Sequence, residues 1–565
     1  MLVMLVALAG CGFGDSANGP ATPTPSSNAL VPLDLGLPPE ALNAPVSGML
    51  PDNQRLHIEV TFKIDQAALD QLEQKNVAKP GDTISAADLA NKFGISEQDF
   101  QRAKAFFGIE NATVKLDATR TSMTVDAQAG SVARALQTKF VVHTLDKRTF
   151  FTPDPKQMPR VPAVIAGKIL AVTGLENYSL PPEHRASSTP LSAQKGQAAA
   201  GCEVLSRGVS PSAVARAYGF DQLWKAGWRG EGMTINLVEI DTFNPADVAY
   251  YGSCVGARNP IKTVTVGEAP EPGGETTLDL EMIMGLAPRA NLVVYQSGSA
   301  SFQAVNAMLR QIINDNAQNK HSAGIVSISL GASETGIGRS NFSAIDQSIQ
   351  ILTKALHMTV FVASGDCGAF TTRVYGRLSV SFPANDPYVV AVGGTMVQGR
   401  GAQAQSVVWS DGSNKAVCRN QWGSGGGLSQ FFKQPDWQTG VGVTNKYSTG
   451  YRQVPDVAAI ADNLPIFYRG KWYASGGTSA AAPIWAAGMA LVNQGLINQK
   501  GLYYFGPRTF YLAANTPGNL HPFRDITGGN NLYYNASTGW DYATGWGEPS
   551  LPDFYRVLSN NADAS

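Results

Sequence analysis

The chain changes rhythm part-way along. Between residues 55 and 180, short alternating runs exchange with helical ones. LHIEVTFKI predicts a strand and QAALDQLEQKN a helix. ISEQDFQRAKAFFG spaces its apolar residues for a helix, and TVKLDATRTSMTVDAQ alternates on both sides of a turn. GSVARALQTKF is helical again, and FVVHTLDKRTFFTP adds a strand pair. This order predicts a small α+β unit. From about residue 208 the strand-like runs become continuously apolar: MTINLVEI, ANLVVYQ, GIVSISLG, TVFVASGD and YVVAVGGT. Helical patterns such as SFQAVNAMLRQIINDN and SAIDQSIQILTKALHM separate them. Strands apolar on both faces predict a parallel sheet between layers of helices. In such sheets the chemistry lies in the loops that leave the carboxyl ends of the strands.

The two units are joined by a Pro-, Ser-, Ala- and Gln-rich stretch, residues 181–207, which reads as an exposed linker with a processing site. At the other end, MLVMLVALAGC has an apolar run too short to cross a bilayer, which reads as an export signal. Leu8-Ala9-Gly10-Cys11 resembles a bacterial lipobox, so residues 1–11 are expected to end in a lipidated Cys11. The absence of Lys or Arg before the run departs from that pattern. Residues 12–54, with ATPTPSSN inside, are expected to form a flexible tether.

Composition narrows the class. Of 565 residues, 44% are hydrophobic and 15% charged, which suits a globular, loop-rich chain rather than a disordered one. A net charge of −1 gives no pull toward nucleic acid. Beyond Cys11 there are four cysteines, enough for two disulfides with three possible pairings. Proximity favours Cys202–Cys254 and Cys367–Cys418. No Cys-x-x-Cys points to zinc or redox chemistry.

The candidate nucleophile is Ser479 in GGTSAAAP, residues 476–483. Its base is harder to find. The six histidines, His57, His143, His184, His321, His357 and His521, sit in the small unit, the linker or surface-like stretches. A Ser-His-Asp triad, with Asp241 of IDTF as its acid, therefore lacks its middle member, and Asp241 reads as a loop residue near the sheet. Carboxylates do better. GGETTLDLEMIMGLAP places Glu275 and Asp279 four apart, on one helix face, while Glu281 points elsewhere. Two carboxyls so close share a proton in mild acid. A carboxylate base also works at a pH where histidine is already protonated.

These stretches occur in a fixed order with SPSAVARAYGF, IVSISLGASE, ASGDCGA, FPANDPYVVAVGGT, WGSGGGLSQFFKQPDWQ and RQVPDVAAIAD. Together they resemble the sedolisin family of serine-carboxyl peptidases over nearly all of residues 55–560. The resemblance implies a subtilisin-like α/β peptidase domain over 208–560, preceded by a ferredoxin-like α+β activation pro-domain over 55–180. It makes Ser479 the nucleophile, Glu275 its general base and Asp279 the carboxyl behind Glu275. Asp366 would join the Ser479 N–H in the oxyanion hole, a role that a carboxyl can fill only when protonated. The resemblance also implies calcium in FRDITGGNNLYYNASTGWDYATGWGEP. Asp525 and Asp541 would be side-chain ligands there, with carbonyls from Ile526, Ser537 and Gly539; oxygen ligands of this kind suit Ca2+. Ser537 stands where the family usually has glycine. The enzyme so implied is an acid-acting, self-processing endopeptidase, monomeric and extracellular, with its pro-domain as an intramolecular inhibitor and peptides as substrates. The alternatives are a tripeptidyl-peptidase of the same family, a subtilisin-type peptidase with a neutral optimum, and an inactive binding protein.

Overall fold

The computed structural model describes residues 29–564, apart from 74–75, 146–147, 179–188, 191–192, 195–201, 203, 206–207, 320–323, 372–376, 400 and 412–420. In the N-terminal unit four antiparallel strands lie in the order Ile169–Thr173, Arg55–Phe62, Ser122–Gln128, Thr113–Leu116. Helices Glu97–Phe107 and Ala129–Ala135 fall between them in the chain. That order and alternation are the split βαβ arrangement expected. Alternation explains the packing: Leu56, Ile58, Val60 and Phe62 share one side of their strand and join the core with Phe100, Ala103 and Phe107 of the helix.

One boundary moves. Residues 29–54 are not a tether. Val46–Met49 pairs antiparallel with Phe140–Leu145, which pairs with Arg148–Pro153, and Leu30–Pro32 pairs with Arg160–Pro162. Leu35, Ala41 and Ala44 are buried. The sequence is Pro-rich and short of long apolar runs, so its strands are single additions to sheets made elsewhere. The Pro/Ser-rich residues before 29 and the Cys11 lipobox lie outside the described residues.

The C-terminal unit is built on β1 (Thr234–Glu239), β2 (Ile261–Thr265), α1 (Gly274–Leu286), β3 (Asn291–Gln296), α2 (Phe302–Asn319), β4 (Ile325–Ile328), α3 (Arg339–Gln350), β5 (Thr359–Ala363), β6 (Val390–Gln398), β7 (Gln405–Val408) and β8 (Val457–Ile460). The strand order is 2-3-1-4-5-6-7, and β8 pairs with β6. Every pairing is parallel except β6 with β7. A hairpin, β9 (Leu464–Tyr468) and β10 (Lys471–Ser475), leads into the 23-residue α4 (Thr478–Lys500). That helix is long and apolar enough to cross a membrane but lies buried in the core, with side chains such as Trp485 and Leu491 almost fully enclosed.

The N-terminal unit docks on α2 and α3. Arg310, 5% exposed, reaches the Asp117 carboxylate and lies 3.7 Å from Glu59. Asn306 donates to Glu59 at 2.8 Å, and Asn341 donates to Glu176 at 2.6 Å. Lys354, fully buried, holds Asp70 at 2.6 Å. Burial pushes the Glu176 carboxyl up to about 7. Linker residues Thr189–Pro190 pair antiparallel with β10, and Ala193–Gln194 with Val204–Leu205. Cys202 is bonded to Cys254 with Cα atoms 5.6 Å apart, in agreement with their proximity in the chain. Cys367 is also disulfide-bonded, whereas Cys418 lies outside the described residues.

Candidate active site

The parallel sheet sets the site. Its strands end at one edge, and three of those ends supply side chains. Past β1 come Glu239 and Asp241, past β4 comes Ser329, and past β5 come Gly365 and Asp366. Helices α1 and α4 pack together across this edge.

Asp241 fixes the start of α1. The first N–H groups of a helix have no partner of their own. The Asp241 carboxylate accepts those of Glu275 at 3.1 Å and Thr276 at 2.9 Å, and also the Thr276 hydroxyl. It can come so close only because residue 273 is glycine: a Cβ there would lie 1.7 Å from Asp241 Oδ2. Asp241, which reads from sequence as a loop residue, therefore holds the helix that carries Glu275. From Thr276 to Leu286 that helix is buried on all sides. Glu281 does point away from the site, and its carboxylate accepts the Phe467 N–H at 2.7 Å.

Asp279 lies one turn beyond Glu275 and is fully buried. Ser329 Oγ is 2.6 Å from its Oδ2. Its other neighbour is Glu239, also fully buried. Among the described residues no N–H or hydroxyl reaches either Glu239 oxygen. Its neighbour is the Asp279 carboxyl, and a hydrogen bond between two carboxyls requires a proton on one of them. Burial, and then the negative charge of Asp279 beside it, hold Glu239 well above the usual carboxylate range. Burial, then Glu275, does the same to Asp279. Glu239 and Asp279 thus form a buried carboxyl pair one step deeper than Glu275. Sequence reasoning misses Glu239; its only signal is a carboxylate ending an otherwise apolar strand.

Ser479 is the second residue of α4 and 2% exposed. Pro483 explains its linkage to the carboxyls. Proline has no N–H, so the Ser479 carbonyl, four residues back, is left out of the helical ladder. Ser329 Oγ lies 3.1 Å from that carbonyl, and Ser479 Oγ lies 3.4 Å from the Ser329 carbonyl. Ser329 thus touches both Asp279 and the Ser479 backbone. On the other side, Asp366 Oδ1 accepts the N–H of Thr478 at 2.8 Å and its hydroxyl at 2.9 Å. Gly477, with φ +103°, leaves room for the Asp366 carboxyl: a Cβ there would sit 2.7 Å from Oδ2.

The four described histidines lie elsewhere. His57 pairs with Asp126, and His143 sits between the Ala44 carbonyl and Thr152. His357 stacks on Phe505, and His521 is exposed. His184 and His321 lie outside the described residues. A chain with acids around a buried serine, preceded by a separate N-terminal unit, has known relatives. Residues 262–547 match the subtilase family, and residues 46–178 match the pro-kumamolisin activation domain. Kumamolisin from Bacillus sp. (strain MN-32) is 32% identical over 418 residues, 69% of this chain and 70% of that protein.

This chain belongs to the sedolisin family.

It is a serine-carboxyl peptidase with an activation pro-domain. Sedolisin from Pseudomonas sp. (strain 101) is 28% identical over 544 residues, 89% of this chain and 87% of that protein. The crystal structure of Pseudomonas sedolisin with two molecules of pseudo-iodotyrostatin matches with a TM-score of 0.53 at 24% identity, over 63% of this chain and 99% of that one. That likeness supports the subtilisin-like fold. Tripeptidyl-peptidase 1 from Dictyostelium discoideum is 26% identical over 348 residues, 58% of this chain and 54% of that protein.

The C-terminal loop brings the proposed calcium ligands together. Asp525 Oδ2 accepts the Gly539 N–H at 2.9 Å, and Asp541 Oδ2 accepts the Ser537 N–H at 2.8 Å. Asp541 Oδ1 takes the N–H groups of Ala543 and Thr544 at 2.8 and 2.9 Å. Ile526 is buried beside them. None of the groups that bond these two carboxyls is cationic. Burial pushes Asp541 up to about 6 and raises Asp525 as well. Among the described residues no cluster of three His, Cys, Asp or Glu forms. Two carboxylates with backbone oxygens fit a hard cation and not a transition metal.

Proposed function

We propose that the chain is an exported, acid-acting endopeptidase in which Ser479 is the nucleophile and Glu275 takes its proton. The observation that carries this reading is the run of contacts Glu239–Asp279–Ser329–Ser479, which links the buried serine to a pair of buried carboxyls with no described histidine beside it. Glu275 is half-buried and close enough to Asp279 and Glu239 for its charge to raise both. When Ser479 Oγ attacks a peptide carbonyl, its proton passes to the Glu275 carboxylate. The Asp279–Glu239 pair, already holding a proton, adjusts its sharing as Glu275 changes charge. The oxyanion faces the Ser479 N–H, with the Asp366 carboxyl beside it. Glu275 then gives the proton to the departing amine, and water resolves the acyl-enzyme by the reverse path.

The test is a pH–rate profile on acid-incubated enzyme, using peptides with free and with acetylated amino termini. The expected outcome is an acid bell with both peptide types cut. A neutral optimum would return the base to a histidine. Hydrolysis confined to free amino termini would favour the tripeptidyl-peptidase reading, which the Dictyostelium relative supports.

The calcium proposal rests on the Asp525–Asp541 loop. Bound Ca2+ would supply positive charge to the buried Asp541 carboxyl and the exposed Asp525 carboxyl, and tie residues 525–541 together. Binding to the folded state alone stabilises by mass action, about 2.7 kcal/mol at a hundredfold excess over Kd. EGTA is expected to lower the melting temperature of the wild type and not that of Asp541→Ala. Export with Cys11 lipidation completes the proposal; a lipid there would anchor the precursor through its pro-domain.

A further inference from the structure

The strand that leads into the nucleophile carries a piece of the protein's own linker. β10 has β9 on one side, and Thr189–Pro190 on the other. The register is Thr189 opposite Ala474 and Pro190 opposite Tyr473, antiparallel. Two residues beyond Ala474 come Gly476 and Gly477, and then α4 begins with Thr478 and Ser479.

Polarity is the informative feature. Passing from residue 189 to 190 moves the partner from 474 to 473, away from Ser479. The amino side of Thr189 therefore faces the nucleophile, and the carboxyl side of Pro190 faces away. A peptide held on this edge in this direction offers Ser479 a bond on the amino side of the paired residues. The residues on β10 belong to its leaving half. Extended strand addition of this kind fixes a peptide through backbone hydrogen bonds, independent of its side chains.

The segment after Pro190 is retained by the peptidase unit. Ala193–Gln194 doubles back on Val204–Leu205, and Cys202 is bonded to Cys254 in helix Pro245–Val255. A cut before Thr189 thus leaves the paired segment with the peptidase.

We propose that the free edge of β10 is the ruler for self-processing: pairing with Thr189–Pro190 places the cut at a fixed spacing on the amino side of Thr189. This inference rests on Ser479 being the nucleophile. Ser479 Oγ forms an ester with the carbonyl of the upstream fragment as the C–N bond breaks. The proton from Oγ goes to the new α-amino group of the fragment that carries Thr189. Water then hydrolyses the ester, freeing the carboxyl of the upstream fragment and restoring Ser479.

The experiment compares the full exported chain with a variant in which Gly-Ser is inserted between Ser188 and Thr189. Both are incubated in acid, and the new amino terminus of each is read by mass spectrometry. The expected result is a terminus upstream of Thr189 in the parent. In the variant the number of residues between the cut and Thr189 is expected to be unchanged, so the cut shifts by two residues relative to the upstream sequence. A cut beyond Pro190, or one that stays with the same upstream residue pair in the variant, overturns the proposal. The Ser479→Ala chain runs in parallel: if it also processes itself, the nucleophile assignment fails, and the ruler is not what has been disproved.

Discussion

Ser479→Ala is expected to leave a folded precursor that neither cuts its own linker nor hydrolyses peptides, with kcat/KM down by about 10^6-fold. The size follows from the chemistry. Without Oγ there is no covalent route, and what remains is whatever the oxyanion donors do for water. The fold should tolerate the change. The side chain is small, alanine favours a helix, and the buried links to Ser329 at 3.1 Å and 3.4 Å include one made by the Ser479 backbone carbonyl, which alanine keeps. The checks are the circular dichroism spectrum, the size of the acid-incubated chain on a gel, and the turnover of a quenched peptide. A variant that still shortens itself would show that another protease, or another nucleophile, opens the linker.

Glu275→Gln is the second large effect, with kcat expected to fall by about 10^2- to 10^4-fold while KM changes little. Glutamine keeps the shape and cannot accept the proton. The Asp241 cap binds the backbone of residue 275, so the helix start survives the substitution. The variant also removes a negative charge that helps hold Asp279 and Glu239 in their protonated range. The proton shared by that pair should then leave at lower pH, so the small residual activity should have its own, shifted pH dependence. Equal loss of kcat in Glu275→Gln and Asp279→Asn would mark the two as one proton-handling unit. A Glu275→Gln enzyme with unaltered kcat would place the base elsewhere.

The architecture is legible in the sequence where periodicity is strong. The apolar strands from MTINLVEI to YVVAVGGT and the Glu275 helix lie where their patterns put them. Residues 29–54 escape such a reading because strands of three or four residues, added to the edges of other sheets, leave no periodicity to detect. The acids of the site divide in the same way. Glu275 and Asp279 are four apart and visible as a pair, whereas Glu239 joins them only because β1 ends beside α1. Asp241 looks idle for want of a histidine, yet its work is on the backbone of residues 275 and 276. Ser329 cannot be linked to Ser479 from sequence, since 150 residues separate them.

The buried carboxyls have a consequence for where the enzyme can last. Glu239, Asp279, Glu281 and Asp386 are all raised well above the ordinary range, by burial first. Glu334, raised chiefly by burial from 4.5 to about 7, shows the scale of the window. An acid whose folded value is raised adds stability that is complete below its unfolded value and is lost as pH climbs through the folded one. A rise in pH therefore asks each of these five acids to become a charge in a buried site. An enzyme that drifts out of an acid niche would lose its structure along with its catalysis. The same protons that arm the site also set the distance over which it can do damage.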